Sequence, residues 1–258
     1  GWSSYLTYSL NRNKVVELLR NYEDPYTHEL TSLDRIDMGG TSMYKMILTE
    51  GGSIGDIYVN TLRTDEHGAI YVHPSDQVVV TQPDEFVKAG NSAPKYNLGW
   101  GNTFSYKGLS LGFLFTARVG GVVVSQTQAT MDAYGSSKAT AIARDNGGAI
   151  VNGRPIGADY TKIGGAGAQG GIGSMYTYSA TNVRLAELSL GYDIPINKYV
   201  DWIKGLNVSF IGKNLFFLYR KAPFDPELTA STGTYFQGID MFMSPSLRNL
   251  GFSVKVNF

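Results

Sequence analysis

Two patterns in this sequence hold residue types that chemistry uses. Gly165-Ala166-Gly167-Ala168-Gln169-Gly170 matches G-x-G-x-x-G. Such glycines cradle a pyrophosphate when a buried strand leads in and a helix N-terminus follows. Here Gly171-Ile172-Gly173-Ser174-Met175-Tyr176 follows, which is no helix start, and no Lys-Ser/Thr pair makes a phosphate loop. The expected role is a glycine-rich outer loop, and no cofactor is expected. The second pattern is Asp65-Glu66-His67-Gly68. It reads as the turn of a small hairpin between 58–62 and 69–72. It falls short of a calcium loop, which needs oxygen ligands at further fixed positions, so a bound cation is only the minor alternative to a plain turn. The three histidines, His28, His67 and His73, have no His partner at i+2 or i+4. No Ser/His/Asp set or carboxylate pair can be brought together from sequence. No catalytic residue and no metal ligand is therefore named, and enzyme activity is not expected.

Composition narrows the class. The chain has 258 residues, with 22 Lys+Arg against 22 Asp+Glu. A net charge of zero removes the basic footprint of a nucleic-acid binder. Zero cysteines remove disulfide scaffolds, thiolate metal sites and cysteine nucleophiles. Only 17% of residues are charged, while Gly numbers 31 and Tyr 17. No apolar run approaches the roughly 18 residues of a membrane helix. Arg12, Lys14, Glu17 and Arg20 interrupt the first twenty residues, so these do not read as a signal peptide. The chain is expected to be cytoplasmic, already processed, or a piece of something longer.

The elements that would position any site come from a period of two. Tyr96, Leu98, Trp100, Asn102, Phe104 and Tyr106 alternate with Asn97, Gly99, Gly101, Thr103, Ser105 and Lys107. After Lys107-Gly108 the phase resets, and Leu109, Leu111, Phe113, Phe115, Ala117 and Val119 alternate with mostly small residues. This is a hairpin of two long strands, each with one apolar face. Trp2–Asn11, Leu188–Ile194, Leu206–Ile211 and Leu250–Phe258 behave similarly, the third less cleanly. The opposite face is Gly, Ser, Thr and Asn, with an occasional Lys or Arg, rather than the charged face of a soluble sandwich. Aromatics cluster near strand ends, at Trp2, Trp100, Tyr106 and Phe258, as a bilayer interface favours.

Connection lengths alternate as well. Residues 17–94, 121–181 and 221–245 are long, whereas 107–108 and 195–205 are short. Transmembrane barrels have short periplasmic turns and long outer loops. The expectation is an all-β, antiparallel transmembrane β-barrel segment with long extracellular loops. Six strands are too few to close, because barrels begin at about eight, and an open edge in lipid leaves unpaired backbone groups. The remaining strands must lie elsewhere. Asn197–Gly205 is read either as one helical turn with Tyr199 and Trp202 at the membrane interface or as a surface turn.

The C-terminal third carries a resemblance. Asn182–Ile194 (NVRLAELSLGYDI) precedes Gly212-Lys213-Asn214-Leu215, then Phe224-Asp225-Pro226-Glu227, Gln237-Gly238-Ile239-Asp240, Pro245 with Arg248, and a last strand ending in Phe258. Gly51–Tyr58 and Pro94-Lys95 leading to Asn102–Gly108 fit the same pattern. This order resembles the C-terminal part of SusC/RagA-type TonB-linked outer-membrane transporters, over nearly the whole chain. The resemblance implies a barrel of about 22 strands with a plugged lumen. It implies a location in the outer membrane of a Gram-negative, Bacteroidetes-like cell, with outer-membrane lipid around the wall. It also implies a SusD-like lipoprotein as lid, the TonB–ExbB–ExbD complex acting through the N-terminal part, and the remaining barrel and plug as partners. No plug, no TonB box and about sixteen fewer strands than the family pattern are present in this sequence.

Given the resemblance, Leu250, Phe252, Val254, Val256 and Phe258 are expected to form the terminal strand read in barrel assembly. Asp225, Glu227, Gln237, Asp240 and Tyr235 are candidate ligand or lid contacts. The competing reading makes them anchors of loop shape, because Asp and Pro form turns and Gly permits positive φ. The function expected is import of a bulky nutrient, an oligosaccharide or an oligopeptide. Tyr134, Tyr160, Tyr176, Tyr178 and Tyr235 are loop tyrosines suited to stacking on either ligand. The alternatives are a soluble or surface-attached β-rich adhesion domain and a passive porin.

Overall fold

The structure, a computed structural model, describes residues 1–72, 74, 81–155, 171–200, 202–228, 230, 231, 233 and 236–258. The glycine-rich run 165–170, His73, Tyr160 and Tyr235 lie outside the described residues. In chain order, β1 (Trp2–Ser9) is followed by a long connection that contains β2 (Leu19–Glu23), β3 (Leu30–Leu33), β4 (Arg35–Gly40), β5 (Tyr44–Thr49), β6 (Asp56–Leu62) and β7 (Thr81–Asn91). Next come β8 (Tyr96–Tyr106) and β9 (Leu109–Val119). The second long connection contains β10 (Val122–Ser125), α1 (Gln126–Ala133), α2 (Lys138–Asp145), β11 (Ile150–Val151), β12 (Arg154–Pro155) and β13 (Thr177–Ser179). β14 (Asn182–Ile194) and β15 (Gly205–Arg220) follow, then β16 (Ile239–Asp240) and β17 (Asn249–Asn257).

Six of these strands form one sheet in the order β1-β8-β9-β14-β15-β17, and each neighbouring pair is antiparallel. These are the six strands that the alternation marks. Their register sorts side chains cleanly by face. One row across the sheet reads Trp2, Phe104, Leu111, Leu190, Phe210, Phe252. The adjacent row reads Ser3, Thr103, Gly112, Ser189, Ile211, Gly251. Because successive side chains point to opposite faces, the first row belongs to an apolar face and the second to a small, mostly polar one.

Among the described residues nothing covers the apolar face. Leu6 is 71% exposed, Phe252 83% and Leu190 46%. Among the described residues, these strands contribute only Leu185 and Leu215 to the buried apolar side chains. The small face is filled by cross-strand packing instead. The Tyr5 ring lies so close over Gly101 that a Cβ there would stand 2.2 Å from it.

The sheet has one tight end. Lys107 and Gly108 both have positive φ, 47° and 85°, as a two-residue hairpin turn requires. A 3-10 turn, Ile196–Lys198, starts the short link from β14 to β15. Trp202 in that link stacks on Phe258, with ring centroids 5.6 Å apart, and Tyr199 is 80% exposed beside it. At the opposite end the three long connections fold into a cap. They build a four-stranded sheet, β4-β5-β6-β7, and a three-stranded sheet, β13-β10-β16. Their core joins Met43, Tyr44, Met46, Ile57, Val59, Val124, Ala129, Tyr176 and Ile239. Sequence periodicity presents these stretches as loops, whereas they hold the main buried core. No helix among the described residues is long and apolar enough to cross a membrane.

Two wall features differ from the simple alternation. β14 shifts register between Leu185 and Glu187 against both β9 and β15, so Ala186 is a bulge. β15 continues to Arg220, past the Gly212–Leu215 stretch, with Asn214 at φ 52°.

Candidate functional site

The wall's small polar face becomes charged where it meets the cap. Arg184 on β14 is buried and anchors this junction. Its Nη2 donates to both carboxylate oxygens of Asp225 at 3.0 Å and lies 3.1 Å from Glu227 Oε2. Its Nη1 donates to Asn214 Oδ1 at 3.2 Å, and the guanidinium sits 4.4 Å over the Phe217 ring. Asp225 also accepts from the Glu227 backbone N–H at 3.0 Å and from the Ser246 hydroxyl. A buried carboxylate needs this number of partners, because an unpaired charge there costs several kcal/mol. The third long connection is thus clamped to the wall at both ends. Arg248 Nε donates to the Leu215 carbonyl at 2.7 Å, and Asn214 Nδ2 donates to the Leu247 carbonyl at 3.4 Å.

Beside the clamp a cleft opens. It holds about 290 Å³ and is lined by Ser92, Ala93, Arg118, Pro226, Glu227, Leu228, Ser231, Gln237 and Gly238. A second trough of about 590 Å³ runs from Arg118 and Glu227 along the small face, past Tyr5, Thr7, Ser9, Asn97, Gly99 and Thr116. Arg118 and Glu227 belong to both, so the two spaces share a wall. Arg118 Nη2 donates to the Ser92 carbonyl at 2.6 Å, while its buried Nε has no partner. The arrangement offers one partly free fork of N–H donors, a ring of neutral hydroxyl and amide groups, and tyrosine rings. That is a binding surface. Among the described residues no cluster of His, Asp and Glu is placed to hold a metal ion.

No family model matches the chain. Two curated relatives from Formosa agariphila are similar. TonB-dependent receptor P3 is 26% identical over 213 residues, covering 75% of this chain and 20% of the relative. TonB-dependent receptor P26 is 22% identical over 291 aligned positions, covering 100% of this chain and 27% of the relative. Among solved structures, the RagAB peptide transporter matches the whole chain with a TM-score of 0.58 at 16% identity, over 27% of its own length. The RagAB peptide importer in its closed-closed and open-open states matches with a TM-score of 0.56. The chain is thus similar in sequence to a segment of TonB-dependent receptors, and its fold matches a segment of the RagAB structures. It spans about a quarter of the length of the relatives and structures it matches.

The segment places its sequence-named residues unevenly. Asp225 is 6% exposed and Asp240 6% exposed, and both are committed internally. Asp240 Oδ2 accepts from the Ser125 hydroxyl at 2.6 Å, where Ser125 also caps α1 by accepting from the Gln128 N–H. Glu227 and Gln237 reach the cleft. Tyr176 needs a correction as a stacking tyrosine. It is 1% exposed and donates to Asp132 Oδ2 at 2.7 Å within the cap core. Tyr178 donates to Gln128 Oε1 at 2.6 Å and packs edge-on against Phe224. Tyr134 remains 83% exposed. At Asp65–Gly68 the structure shows a turn. The Asp65 carboxylate accepts the His67 and Ala69 N–H groups at 2.9 Å, and Gly68 has φ 79°.

Sequence reasoning did not single out Arg118, Arg184 or Ser92. The signal was faint: Arg118 falls on the small-residue phase of β9, whereas Arg184 falls in sequence on the apolar phase of Leu188 and Leu190, and only the Ala186 bulge turns it to the small face. The acid that Arg184 meets, Asp225, lies 41 positions away.

Proposed function

We propose that the segment is the C-terminal part of the barrel wall of an outer-membrane nutrient importer, with its cap on the extracellular side. The observation that carries this reading is the six-stranded wall with an uncovered apolar face and a small polar face behind it. Such a sheet is unstable in water but suited to hydrocarbon on one side and a wet lumen on the other. The names of the relatives support TonB-dependent receptor function, and the RagAB structures are described as those of a peptide transporter. In this reading the complete protein is a barrel of about 22 strands whose lumen is plugged. TonB–ExbB–ExbD energises it through the N-terminal part, and a SusD-like lipoprotein covers the mouth. The cargo is a bulky oligopeptide or oligosaccharide. Arg118, Glu227 and Gln237 are the proposed ligand contacts, while Asp225 and Asp240 hold the loop that presents them. The terminal strand Leu250–Phe258 is the proposed barrel-assembly signal, in which Leu250, Phe252, Val254, Val256 and Phe258 face lipid.

The test uses the full-length protein in its own cells. Fractionation should place it in the outer membrane, and uptake of its cargo should vanish when TonB is deleted. Recovery as a folded aqueous monomer would reject the reading, and uptake that persists without TonB would favour a passive pore.

A further inference from the structure

We propose that Arg118 is a carboxylate-binding residue at the mouth of the lumen, so that the cargo carries an anionic carboxylate: a peptide C-terminus or an acidic sugar. This deepens the importer reading and rests on it for the direction of travel, but not for binding itself.

Three observations point the same way. The first is the absence of a counter-ion. Arg118 sits in a cross-strand row with the neutral Ser9, Asn97 and Asn182, which continues to a second cation, Arg220, and holds no acid. Among the described residues no carboxylate lies within ion-pair distance of it. Glu227 borders the same cleft, but its Oε2 is taken by Arg184 at 3.1 Å. The second is the incomplete use of the guanidinium. One nitrogen donates to the Ser92 carbonyl at 2.6 Å, while the buried Nε has no acceptor. The acid that acts on this partly buried cation, Glu227, is already engaged by Arg184, and Nε is sealed from solvent, so an incoming carboxylate would meet the Nη edge of the guanidinium in charge-assisted hydrogen bonds. The third is access. Arg118 borders both the 290 Å³ cleft and the 590 Å³ trough, whose other walls include Thr7, Ser9, Asn97 and Thr116. These neutral groups can hydrogen-bond the rest of a ligand without competing for the charge.

Arg184 cannot take this role, because Asp225, Glu227 and Asn214 already occupy it. A neutral oligosaccharide would leave Arg118 uncompensated, so the charge discriminates between the cargo classes that the fold leaves open.

The experiment measures binding to the complete purified transporter in detergent by titration calorimetry. The probes are tetra-alanine with a free C-terminus against its C-terminal amide, and trigalacturonate against galactotriose. At least one acid should bind the native protein about tenfold or more tightly than its neutral counterpart, the worth of one charge-assisted pair. Which acid does so separates a peptide carboxylate from a sugar carboxylate. Arg118→Gln, which keeps a donor for the Ser92 carbonyl, should weaken the acid about tenfold or more and far more than it weakens the neutral probe. Arg118→Lys should recover part of the difference. Equal binding of acid and neutral probes to the native protein would overturn the proposal, as would equal weakening of both by Arg118→Gln. So would failure of both acids to bind at millimolar concentration. The native comparison needs no variant, so a misfolded Arg118→Gln would not blunt the test. Failure of the importer reading shows separately, as uptake that does not depend on TonB.

Discussion

The wall and the cap use the same kinds of apolar side chain in opposite ways. In the wall, Leu6, Leu190, Phe210, Phe252 and Val254 share one face and are all exposed. In the cap, Met43, Tyr44, Ile57, Val124 and Ile239 are at most 1% exposed against one another. A water-soluble sheet of this size would bury its greasy face under a second layer. Here the second layer exists, but it is built at the strand ends and leaves the face bare. The difference teaches that the two regions meet different surroundings: the cap buries its apolar side chains within this chain, and the wall leaves its own exposed, which in the proposed reading face hydrocarbon.

The contact between the two regions is the point most sensitive to damage. Asp225→Ala should cost about 3–5 kcal/mol, because Arg184 would stay buried beside only Glu227 and Asn214. The expected readout is fast proteolysis of the 221–248 connection in an otherwise intact barrel. Resistance equal to the native protein would break the idea that this clamp joins wall and cap. A cut within the cap itself comes next. Ile57→Ala should cost about 2–5 kcal/mol by opening a cavity in a fully buried cluster. It should lower the melting temperature of the cap while leaving the heat-resistant migration of the barrel on gels unchanged.

The wall should respond to charge rather than to volume. Phe113→Arg or Val254→Arg should cost about 2–4 kcal/mol near the bilayer midplane, whereas Ser253→Arg on the other face should be mild. Folding titrations in lipid vesicles compare the two faces, and equal tolerance would dissolve the distinction between them. Deleting Phe258 should also lower outer-membrane insertion, since its ring closes the tight end on Trp202; an unchanged yield of barrel would count against an assembly role.

The smallest effect concerns acid. Arg20 holds the Glu50 carboxylate below its ordinary range, chiefly through their 2.8 Å hydrogen bond. A carboxylate with a lowered folded value stabilises above its unfolded value and loses that contribution as pH falls through the folded one. Both groups are near water, so the change should be slight. It should appear as a lower protection factor, taken against the intrinsic exchange rate at each pH, for the Leu18 amide, which donates to Glu50 Oε1, on acidification. A protection factor that does not change with acidification would remove the ion pair from the account.

Much of the wall was legible in the sequence, for a physical reason. A period of two is a one-dimensional signal, and a sheet in lipid leaves it undisturbed, so Tyr96–Tyr106 and Leu109–Val119 could be read with their turn at Lys107-Gly108. The cap was not legible, because its core is assembled from short strands that are far apart in the chain. Val124 pairs in parallel with Ile239, and no local pattern in Val122–Ser125 announces that partner. Ala186 was hidden for a related reason: a bulge is set by what its neighbours on both sides require. Of the candidate site, Asp225, Glu227, Gln237 and Asp240 were named through the resemblance, yet their division into buried anchors and cleft-lining residues needed Arg184, Ser125 and Arg118 in place. Tyr176 looked like a surface ring because the cap looked like loop.

The central claim is that the bare face meets hydrocarbon and the small face meets water. These 258 residues hold no cysteine, so single labels can be introduced here once any cysteine elsewhere in the complete protein is replaced. Nitroxides at Leu111→Cys, Leu190→Cys and Phe252→Cys, and at Gly112→Cys, Ser189→Cys and Ser253→Cys, would be compared in the complete transporter in lipid bilayers. Collision rates with dissolved oxygen and with a water-soluble nickel chelate are the readout. The first three should favour oxygen and the second three nickel, alternating residue by residue. Preference for nickel at both sets, or shielding of the first three from both reagents, would contradict the account.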